Sequence, residues 1–375
     1  MLPILNTIIA VGLFCGLIQY IILFYELKIK RMAKGGESLP PVTILKPLKG
    51  MDNQLEENLR SFFELKYQNF EIIFGVQDRH DPACALIQAL QSLYPEVKTR
   101  LVIDDREIGL NPKVNTLHNI LPTAKYEHVL ISDSNVRVEP DYLTHLVSYF
   151  ISGNFGLVTS MIRGLGAGKM GSVLENLHLN STVAGTVMVF DRVFRKPVCI
   201  GKSLLVRKSI ISAIGGVASF RNVLAEDYYM GVAVKSLGLR AATSSYWVDN
   251  VVENWNLEDF VSRHSRWAKM RLHCSRLTYT GELLGNPIVN AAIFFLLWPD
   301  IFKASFLFAT IIVKLVIDCL ILRLMRSDLR LRHVLLIPFK DMMIFIIWFL
   351  PFVSRRIVWR GNHMRISKNT YLQHV

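Results

Sequence analysis

The stretch Phe70-Glu-Ile-Ile-Phe-Gly-Val-Gln-Asp78 is a run of β-branched and aromatic residues that ends in two polar side chains. It is followed by Asp81-Pro82, a pair typical of a helix start. The run therefore predicts a buried strand and then a helix. His128-Val-Leu-Ile131 is a second strand of this kind, and it ends in the polar segment Ser132-Asp133-Ser134-Asn135.

Strands and helices alternate along this part of the chain, with short links between them. Such alternation predicts an α/β fold with a doubly wound, mostly parallel sheet covered on both faces. Ligands bind such sheets beyond the carboxyl ends of the strands. Asp78 and Asp133 each follow a strand, so we expect them at one crevice, although an aspartate there also serves as a turn former or helix cap. The predicted strands are 41–45, 70–76, 100–103 and 128–131, and the predicted helices are 52–65, 81–93 and 113–121.

The apolar residues are unevenly distributed. Of the 375 residues 51% are hydrophobic, and the mean hydropathy is +0.32. The excess lies at residues 3–25 and from about 287 to 353. This pattern favours a membrane-bound enzyme with one soluble domain over a polytopic transporter. We expect an anchor at 1–27, a catalytic domain at 28–284, membrane segments at 285–353 and a basic tail at 354–375.

The net charge is +13, and the basic residues crowd beside the apolar segments. Juxtamembrane clusters indicate membrane topology and anionic headgroups, so we expect no nucleic-acid partner. The clusters are Lys28, Lys30, Arg31 and Lys34; Arg323, Arg326, Arg330 and Arg332; and Arg355, Arg356, Arg360 and Arg365. The five cysteines are scattered without a CxxC pair, which is consistent with a reduced, cytosolic catalytic domain.

The N-terminal segment 3–25 carries no charge and is long enough to cross a bilayer. A cleaved signal peptide is the alternative, but such peptides have a basic start. Here the basic residues follow the apolar run. The positive-inside rule then predicts that residue 28 onward faces the cytoplasm.

The C-terminal apolar region predicts a helical hairpin of residues 286–299 and 301–322, broken by Pro299-Asp300. Lys303, Lys314 and Asp318 lie in its second helix and need partners or a polar face. A third segment, 334–353, contains Lys340 and Asp341. If it spans the membrane, the basic tail lies outside, and if it lies in the interface, the tail stays inside. Its topology stays open.

Further motifs complete a recognisable order. Asp78, Asp133, Glu226-Asp227 and Arg263-His-Ser-Arg266-Trp267 together resemble the D…D…ED…(Q/R)xxRW pattern of processive and lipid-directed inverting glycosyltransferases with the GT-A fold. Closer matches resemble the ceramide glucosyltransferase family over nearly the whole chain. They are Lys46-Pro-Leu-Lys-Gly50, Gly75-Val-Gln-Asp78, Asn111-Pro-Lys113, Ser132-Asp-Ser134, Gly201-Lys-Ser-Leu-Leu-Val-Arg-Lys208, Ala225-Glu-Asp-Tyr228 and Trp359-Arg-Gly361.

The resemblance implies transfer of a hexose from a UDP-sugar to the hydroxyl of ceramide, with inversion at the anomeric carbon. The leading candidate for the hexose is glucose. Asp78 would recognise uracil or ribose, and Lys113 would lie near the phosphates, where its point charge suits them. Asp133 would hold Mg²⁺ or Mn²⁺, since both prefer hard oxygen ligands. Asn135 stands where the common DxD pattern has its second aspartate, so the second metal ligand is either its uncharged carbonyl or another group.

The resemblance also implies the catalytic groups. Asp227 would be the general base for the acceptor hydroxyl, because a single displacement needs one carboxylate. Arg263 and Arg266 would contact the diphosphate and Trp267 the sugar or acceptor, although Arg and Trp near a membrane also serve as interfacial anchors. Ser203 would contact the donor.

Three alternatives remain beside this interpretation. A hopanoid- or diacylglycerol-directed transferase of N-acetylglucosamine would use similar motifs. A processive polysaccharide synthase would need more membrane spans than this chain offers. A catalytically inactive membrane scaffold would be expected to have lost one of the acidic residues, and all of them are present.

Overall fold

The structure is a computed structural model that describes residues 2–28, 39–196, 198–297, 299–359 and 361–374. The chain forms two compact units. The sheet unit comprises Lys30–Ile162 and Phe190–Val251, and the helical unit comprises Met1–Ile29, Arg163–Val189 and Val252–Val375. The predicted domain boundaries differ from this division, which places 163–189 and 252–284 in the helical unit; they stay a prediction. The predicted basic residues Lys30, Arg31, Lys34 and Arg360 lie outside the described residues.

The strands and helices alternate in the first half of the chain, and helices predominate in the second. The strands are β1 Val42–Pro47, β2 Phe70–Val76, β3 Thr99–Ile103, β4 His128–Ile131, β5 Val136–Arg137, β6 Leu157–Leu165, β7 Leu204–Arg207, β8 Ala241–Val251, β9 Arg356–Trp359, β10 Asn362–Ile366 and β11 Leu372–His374. The helices are α1 Leu2–Lys28, α2 Leu55–Phe63, α3 Ala83–Leu93, α4 Pro112–Ile120, α5 Tyr142–Ser152, α6 Met170–Leu177, α7 Ala184–Arg192, α8 Lys208–Ala213, α9 Glu226–Ser236, α10 Leu257–Cys274, α11 Arg276–Gly281, α12 Pro287–Leu297, α13 Ile301–Leu324, α14 Leu331–Val334 and α15 Ile337–Val353.

The large sheet has the order β3-β2-β1-β4-β7-β6-β8-β5. Its first four strands are parallel, and β4–β7, β7–β6 and β8–β5 are antiparallel. The four strands predicted from the sequence form the parallel half. The α/β fold class with a mostly parallel, helix-covered sheet is therefore confirmed.

The parallel strands are apolar because helices cover both of their faces. Leu45 of β1 and Ile131 of β4 are buried in a core that includes Val114 and Leu117 of α4 and Met230 of α9. Removing such side chains from water contributes about 1.5–3 kcal/mol each. This core holds the carboxyl ends of β1 and β4 next to the first turns of α4 and α9.

Local caps fix where the helices of the sheet unit begin. Asn111 precedes α4, and its side chain accepts from the backbone N–H groups of Lys113 and Val114. Pro112 occupies the first position of that helix, where no N–H partner is needed. Pro82 is the N-cap of α3, and Asp81, one residue earlier, accepts from the N–H of Ala83 through its side chain.

The helical unit contains two described helices that are long and apolar enough to cross a membrane, Ala10–Lys28 of α1 and Ile301–Leu324. A third candidate is the pair Arg276–Gly285 and Pro287–Leu297, which is bent by 76°. The predicted N-terminal helix and the two helices on either side of Pro299-Asp300 are present. The third predicted segment, 334–353, contains α15, which has 17 residues.

The charged residues that the sequence places within these apolar segments have partners. Lys314 pairs with Asp318 at 2.8 Å, and Lys340 pairs with Asp341 at 2.6 Å. Lys314 also donates to the hydroxyl of Tyr20 and lies 4.0 Å from Asp341 Oδ2 of α15, so α1, α13 and α15 meet at this group. The four charged residues are at most 3% exposed. Lys303 pairs with Asp300, the N-cap of α13.

The C-terminal residues form a small antiparallel sheet with the order β11-β10-β9. Gly361 has φ +83° in the turn between β9 and β10. Ile357, Met364 and Ile366 are buried. The segment predicted as a basic tail is therefore folded.

Candidate active site

Lys113 lies at the centre of a polar cluster in the sheet unit. Its Nζ is 2.8 Å from Asp133 Oδ1 and 2.9 Å from Glu226 Oε1, and it donates to the carbonyl of Gly201 at 3.4 Å. These partners come from the end of β4, the first turn of α9 and the loop before β7. The fold thus brings together Lys113 and Asp133, two residues that the sequence predicts at the site.

Lys113 and Asp133 each stabilise the charged form of the other. Burial alone would lower the pKa of Lys113, but the carboxylates of Asp133 and Glu226 outweigh it and raise that pKa above its usual range. Burial likewise opposes ionisation of Asp133, but Lys113 and Lys202 hold the pKa of Asp133 below its ordinary value. The site therefore keeps fixed positive and negative groups at neutral pH.

Asp227 lies in the first turn of α9, beside Glu226. Its Oδ2 accepts from the N–H of Gly201 at 2.7 Å, and its Oδ1 accepts from the N–H of Tyr228. Burial, followed by the neighbouring charge of Glu226, raises the pKa of Asp227 to about 7. A carboxyl group with this pKa accepts protons efficiently near neutral pH.

Gly201 lets the backbone approach both charged groups. A Cβ at this position would lie 2.6 Å from Lys113 Nζ and 3.1 Å from Asp227 Oδ2. Both distances are shorter than ordinary van der Waals contact. The absence of a side chain therefore allows the N–H of Gly201 to contact Asp227 and its carbonyl to contact Lys113.

Lys46 supports the segment that carries Asp133. It ends a buried part of β1 and is fully buried, and its Nζ donates to the carbonyl of Asp133 at 2.7 Å and to Ser132 Oγ at 3.4 Å. The ammonium lies 3.8 Å from the ring centroid of Phe62. Burial lowers the pKa of Lys46 well below its usual range.

Asp133 and Asn135 share a second cationic partner. Lys202 Nζ lies 3.2 Å from Asp133 Oδ2 and donates to Asn135 Oδ1. The two oxygens predicted to hold a metal therefore face one position, at which the structure has an ammonium group. Carboxylate and carbonyl oxygens fit a hard divalent cation. Among the described residues, no group of three or more His, Cys, Asp or Glu side chains could hold a metal, so this fit rests on two protein ligands.

Two other residues, both predicted to contact the nucleotide-sugar donor, have different surroundings. Asp78 is exposed after β2, and its Oδ1 accepts from the N–H of His80 at 2.9 Å. Ser203 is fully buried, and its hydroxyl is bonded to Ser160 at 3.0 Å and to Tyr142. The structure thus places Ser203 in the core, while its contact with the donor stays a prediction.

The RxxRW motif lies on α10 of the helical unit. Arg263 is buried; its Nε is 3.0 Å from Glu175 Oε1, and its guanidinium lies 4.2 Å from the ring centroid of Trp267 and 5.1 Å from that of Trp255. These contacts fix Arg263 within its own unit. The catalytic role of the motif stays a prediction.

The remaining residues of the motif have distinct contacts. Arg266 is half-buried and donates to the carbonyl of Val358 at 3.5 Å. His264, which lies between the two arginines, is buried and bonded to Glu175 Oε2 at 2.7 Å, and burial lowers its pKa. It therefore helps to hold the same carboxylate as Arg263.

Sequence reasoning missed several residues of the site. Lys202 and Lys46 lie within motifs that were recognised, so their charge was a usable signal. Glu226, which the sequence analysis names within its motif without a role, pairs directly with Lys113. Asn250 lies in none of the motifs found in the sequence, yet its Oδ1 accepts a hydrogen bond from Asn135 Nδ2 at 3.1 Å.

The sequence profile of glycosyl transferase family 21 matches residues 6–372. The chain therefore belongs to this family. Ceramide glucosyltransferase 3 of Caenorhabditis elegans is 30% identical over 271 residues, which are 70% of this chain and 58% of that protein. Ceramide glucosyltransferase of Komagataella phaffii is 38% identical over 123 residues, which are 31% of this chain and 24% of that protein. The family resemblance predicted from the motifs is confirmed, and the chain spans little more than half the length of the first relative.

A solved structure supports the fold. A mannosyltransferase from Pyrobaculum calidifontis, in complex with GDP-Man and Mn²⁺, has a TM-score of 0.57 and 14% identity. The match covers 92% of this chain and 98% of that chain. At this identity the likeness concerns the fold, and it confirms the prediction of a glycosyltransferase fold of the GT-A kind.

Proposed function

We propose that this protein is a membrane-bound hexosyltransferase that moves glucose from UDP-glucose to the hydroxyl of ceramide, with inversion. The observation that carries the proposal is that Asp227, whose pKa is raised to about 7, lies beside the ion pair of Lys113 and Asp133. The backbone of Gly201 contacts both Asp227 and Lys113. The first group suits a proton acceptor, and the second suits a diphosphate. The names of the relatives support ceramide as the acceptor.

The base acts on the acceptor hydroxyl. Oδ2 of Asp227 is held by the N–H of Gly201, which fixes the carboxylate in place. As the hydroxyl oxygen attacks the anomeric carbon, its proton passes to Asp227, and the bond to the diphosphate oxygen breaks on the opposite face. Because this is one displacement, the configuration inverts and no second nucleophile is needed.

The departing diphosphate requires positive charge. Lys113 and Lys202 supply two ammonium groups within the cluster, and preorganised charge of this kind stabilises a developing anion. Arg263 and Arg266 are proposed to contribute from the RxxRW motif, Trp267 to contact the sugar or acceptor, Asp78 to contact uracil or ribose, and Ser203 to line the donor site.

Asp133 and Asn135 are proposed to hold Mg²⁺ or Mn²⁺. A divalent cation at these oxygens would neutralise charge on the diphosphate, which would supply further ligands together with water. The protein's own part is to present one carboxylate and one carbonyl at a common position.

The two long apolar helices support a membrane location. We propose that the sheet unit faces the cytoplasm, since basic residues follow the N-terminal helix and positive residues favour the cytoplasmic side. Cysteine accessibility labelling in sealed vesicles tests this orientation. Labelling of a cysteine placed at Lys235 from the luminal side would contradict it.

The test of function uses the full chain in nanodiscs with UDP-glucose or UDP-N-acetylglucosamine, Mg²⁺ or Mn²⁺, and ceramide, diacylglycerol or hopanoid acceptors. Mass spectrometry identifies the product, and NMR identifies its anomeric configuration. We expect β-glucosylceramide. A product on another lipid alone would reject ceramide and retain the transferase, and no turnover of any UDP-sugar would reject the transferase and favour a scaffold.

A further inference from the structure

The oxygens of Asp133 and Asn135 converge on a position that already carries a positive charge. Lys202 Nζ is 3.2 Å from Asp133 Oδ2 and is also bonded to Asn135 Oδ1. The other carboxylate oxygen of Asp133 is held separately by Lys113 at 2.8 Å. Lys202 is thus the cation that faces both oxygens.

The amide of Asn135 is held in the orientation that suits a cation. Its Nδ2 donates to Asn250 Oδ1 at 3.1 Å, and the backbone carbonyl of Asn135 accepts from the N–H of Val251 at 3.0 Å, which ties this residue to β8. Asn250 is fully buried on β8. Since the amide nitrogen is engaged there, the amide oxygen is directed at Lys202, and a flipped amide would place its N–H groups against the ammonium.

We propose that Lys202 is a built-in competitor for the divalent-cation site, whose ammonium must leave Asp133 and Asn135 before a metal ion binds there. The inference rests on the metal site of the proposed function. Two cations at one pair of oxygens would repel strongly in a partly buried setting. The Lys202 side chain is 13% exposed, so it has a route towards solvent when it is displaced.

This competition has a consequence for affinity. Metal binding includes the loss of two contacts of Lys202, so the protein binds the ion more weakly than its oxygen ligands alone would. Removal of the ammonium should therefore tighten metal binding. If Lys202 merely shaped the site, its removal should instead weaken metal binding.

The experiment is a titration of the full-length protein in nanodiscs with Mn²⁺, followed by the EPR signal of the free ion. No nucleotide or lipid acceptor is added, so the outcome is independent of whether transfer occurs. We expect Lys202→Met to lower the Kd for Mn²⁺ by about tenfold, while Lys202→Arg stays within about threefold of wild type because it keeps the charge. Asp133→Asn should abolish this binding in both the wild-type and Lys202→Met backgrounds.

The matched control is Lys235→Met, which removes an exposed lysine from the same unit. It should leave the Kd unchanged. An unchanged or higher Kd in Lys202→Met overturns the proposal, as does an equal gain in Lys235→Met or the absence of Mn²⁺ binding in every variant. If thermal unfolding shows that Lys202→Met is not folded, Lys202→Gln replaces it with the same expectation. Transfer activity is also measured in EDTA. Activity that persists in EDTA would reject the metal site and retain the proposed reaction, whereas absence of activity with and without EDTA would reject the reaction.

Discussion

The sheet unit and the helical unit each hold a group of lysines and carboxylates, and the two groups differ in access to the surface. Lys113–Asp133 and Lys314–Asp318 are both paired at 2.8 Å. The side chains of the first pair are 14% and 25% exposed, whereas those of the second are 3% and 1% exposed. Equal distances therefore belong to different kinds of site: the first pair can exchange partners with a ligand, and the second cannot.

The two groups also differ in the secondary-structure elements that carry their charged residues. Asp133 follows a strand, and Lys113 and Glu226 lie in first helical turns, so their backbone positions surround a common point. Lys314 and Asp318 lie one turn apart within a single long helix, and Lys314 contacts Tyr20 of α1. Polar contacts of this kind join helices where apolar packing alone is a weak guide to register.

The largest effect is expected for Asp227→Asn. Loss of the general base should lower kcat for glycosyl transfer by about 100- to 10,000-fold, with little change in the KM for the UDP-sugar. The folded-state pKa of about 7 lies above that of an unfolded aspartate, near 4. The folded protein therefore loses stability as pH rises through this interval, and the variant should unfold at an equal or higher temperature at pH 8.

Steady-state kinetics and thermal unfolding together check this prediction. Asp105→Asn is the control, since Asp105 is an exposed carboxylate of the same unit and should retain wild-type rates. Transfer by Asp227→Asn at more than about half the wild-type rate would remove Asp227 from the mechanism.

Lys314→Met should have a large effect on stability instead. It leaves two buried carboxylates, Asp318 and Asp341, without the ammonium that faces both. Breaking a buried pair costs about 3–5 kcal/mol. We expect a much lower unfolding temperature in detergent, measured by tryptophan fluorescence, with normal kcat for the fraction that stays folded.

A double variant separates charge burial from packing. Lys314→Met with Asp318→Leu replaces the pair with apolar side chains, which is often neutral or stabilising. It should recover most of the lost unfolding temperature. If the single variant is as stable as wild type, the helical group is not the structural tie that its burial indicates.

The sequence predicts the parallel half of the sheet because each strand there is signalled locally. β2 and β4 match the predicted runs 70–76 and 128–131 at both ends. The antiparallel half is different, since β5 pairs with β8, and Val136 lies opposite Asn250. A two-residue strand has no periodicity of its own, so its partner is known only from the folded chain.

The site divides in a similar way. Asp133, Lys113 and Asp227 were predicted through the order of motifs, but that order contains no information on which groups touch. Lys202 reaches Asn135 only because β7 lies beside β4. In the helices the need of Lys314 for a partner was predictable from its apolar setting, whereas Tyr20, 294 positions away, was not.

A smaller effect on the sheet group is expected for Gly201→Ala. The new Cβ would crowd Lys113 Nζ and Asp227 Oδ2, and the lysine end can move aside, so folding should be nearly unaffected. The contacts of the site would shift, and we expect kcat/KM to fall by about tenfold, or about 1.4 kcal/mol. Gly281→Ala is the control, because nothing lies within 4 Å of the added Cβ. Equal kcat/KM values for the two variants would contradict the close approach at Gly201.

The smallest effect concerns pH. Because the base must be ionised, kcat/KM should rise tenfold per unit below about pH 7 and level off above it. Glu226 is the second cause of the raised pKa, after burial. Glu226→Gln removes its charge, so the pKa of Asp227 should fall and the acidic limb should move to lower pH by up to about one unit.

The direction of that shift tests the distinction between the two groups, since only a site open to ligand can report a neighbour's charge in a rate. Glu107→Gln removes an exposed carboxylate of the same unit and should leave the limb in place. A limb near pH 4 in the wild type would mean that substrate binding overrides burial at Asp227. A limb that stays at pH 7 in Glu226→Gln would assign the titration to a group other than Asp227, and the base would have to be sought elsewhere in the cluster.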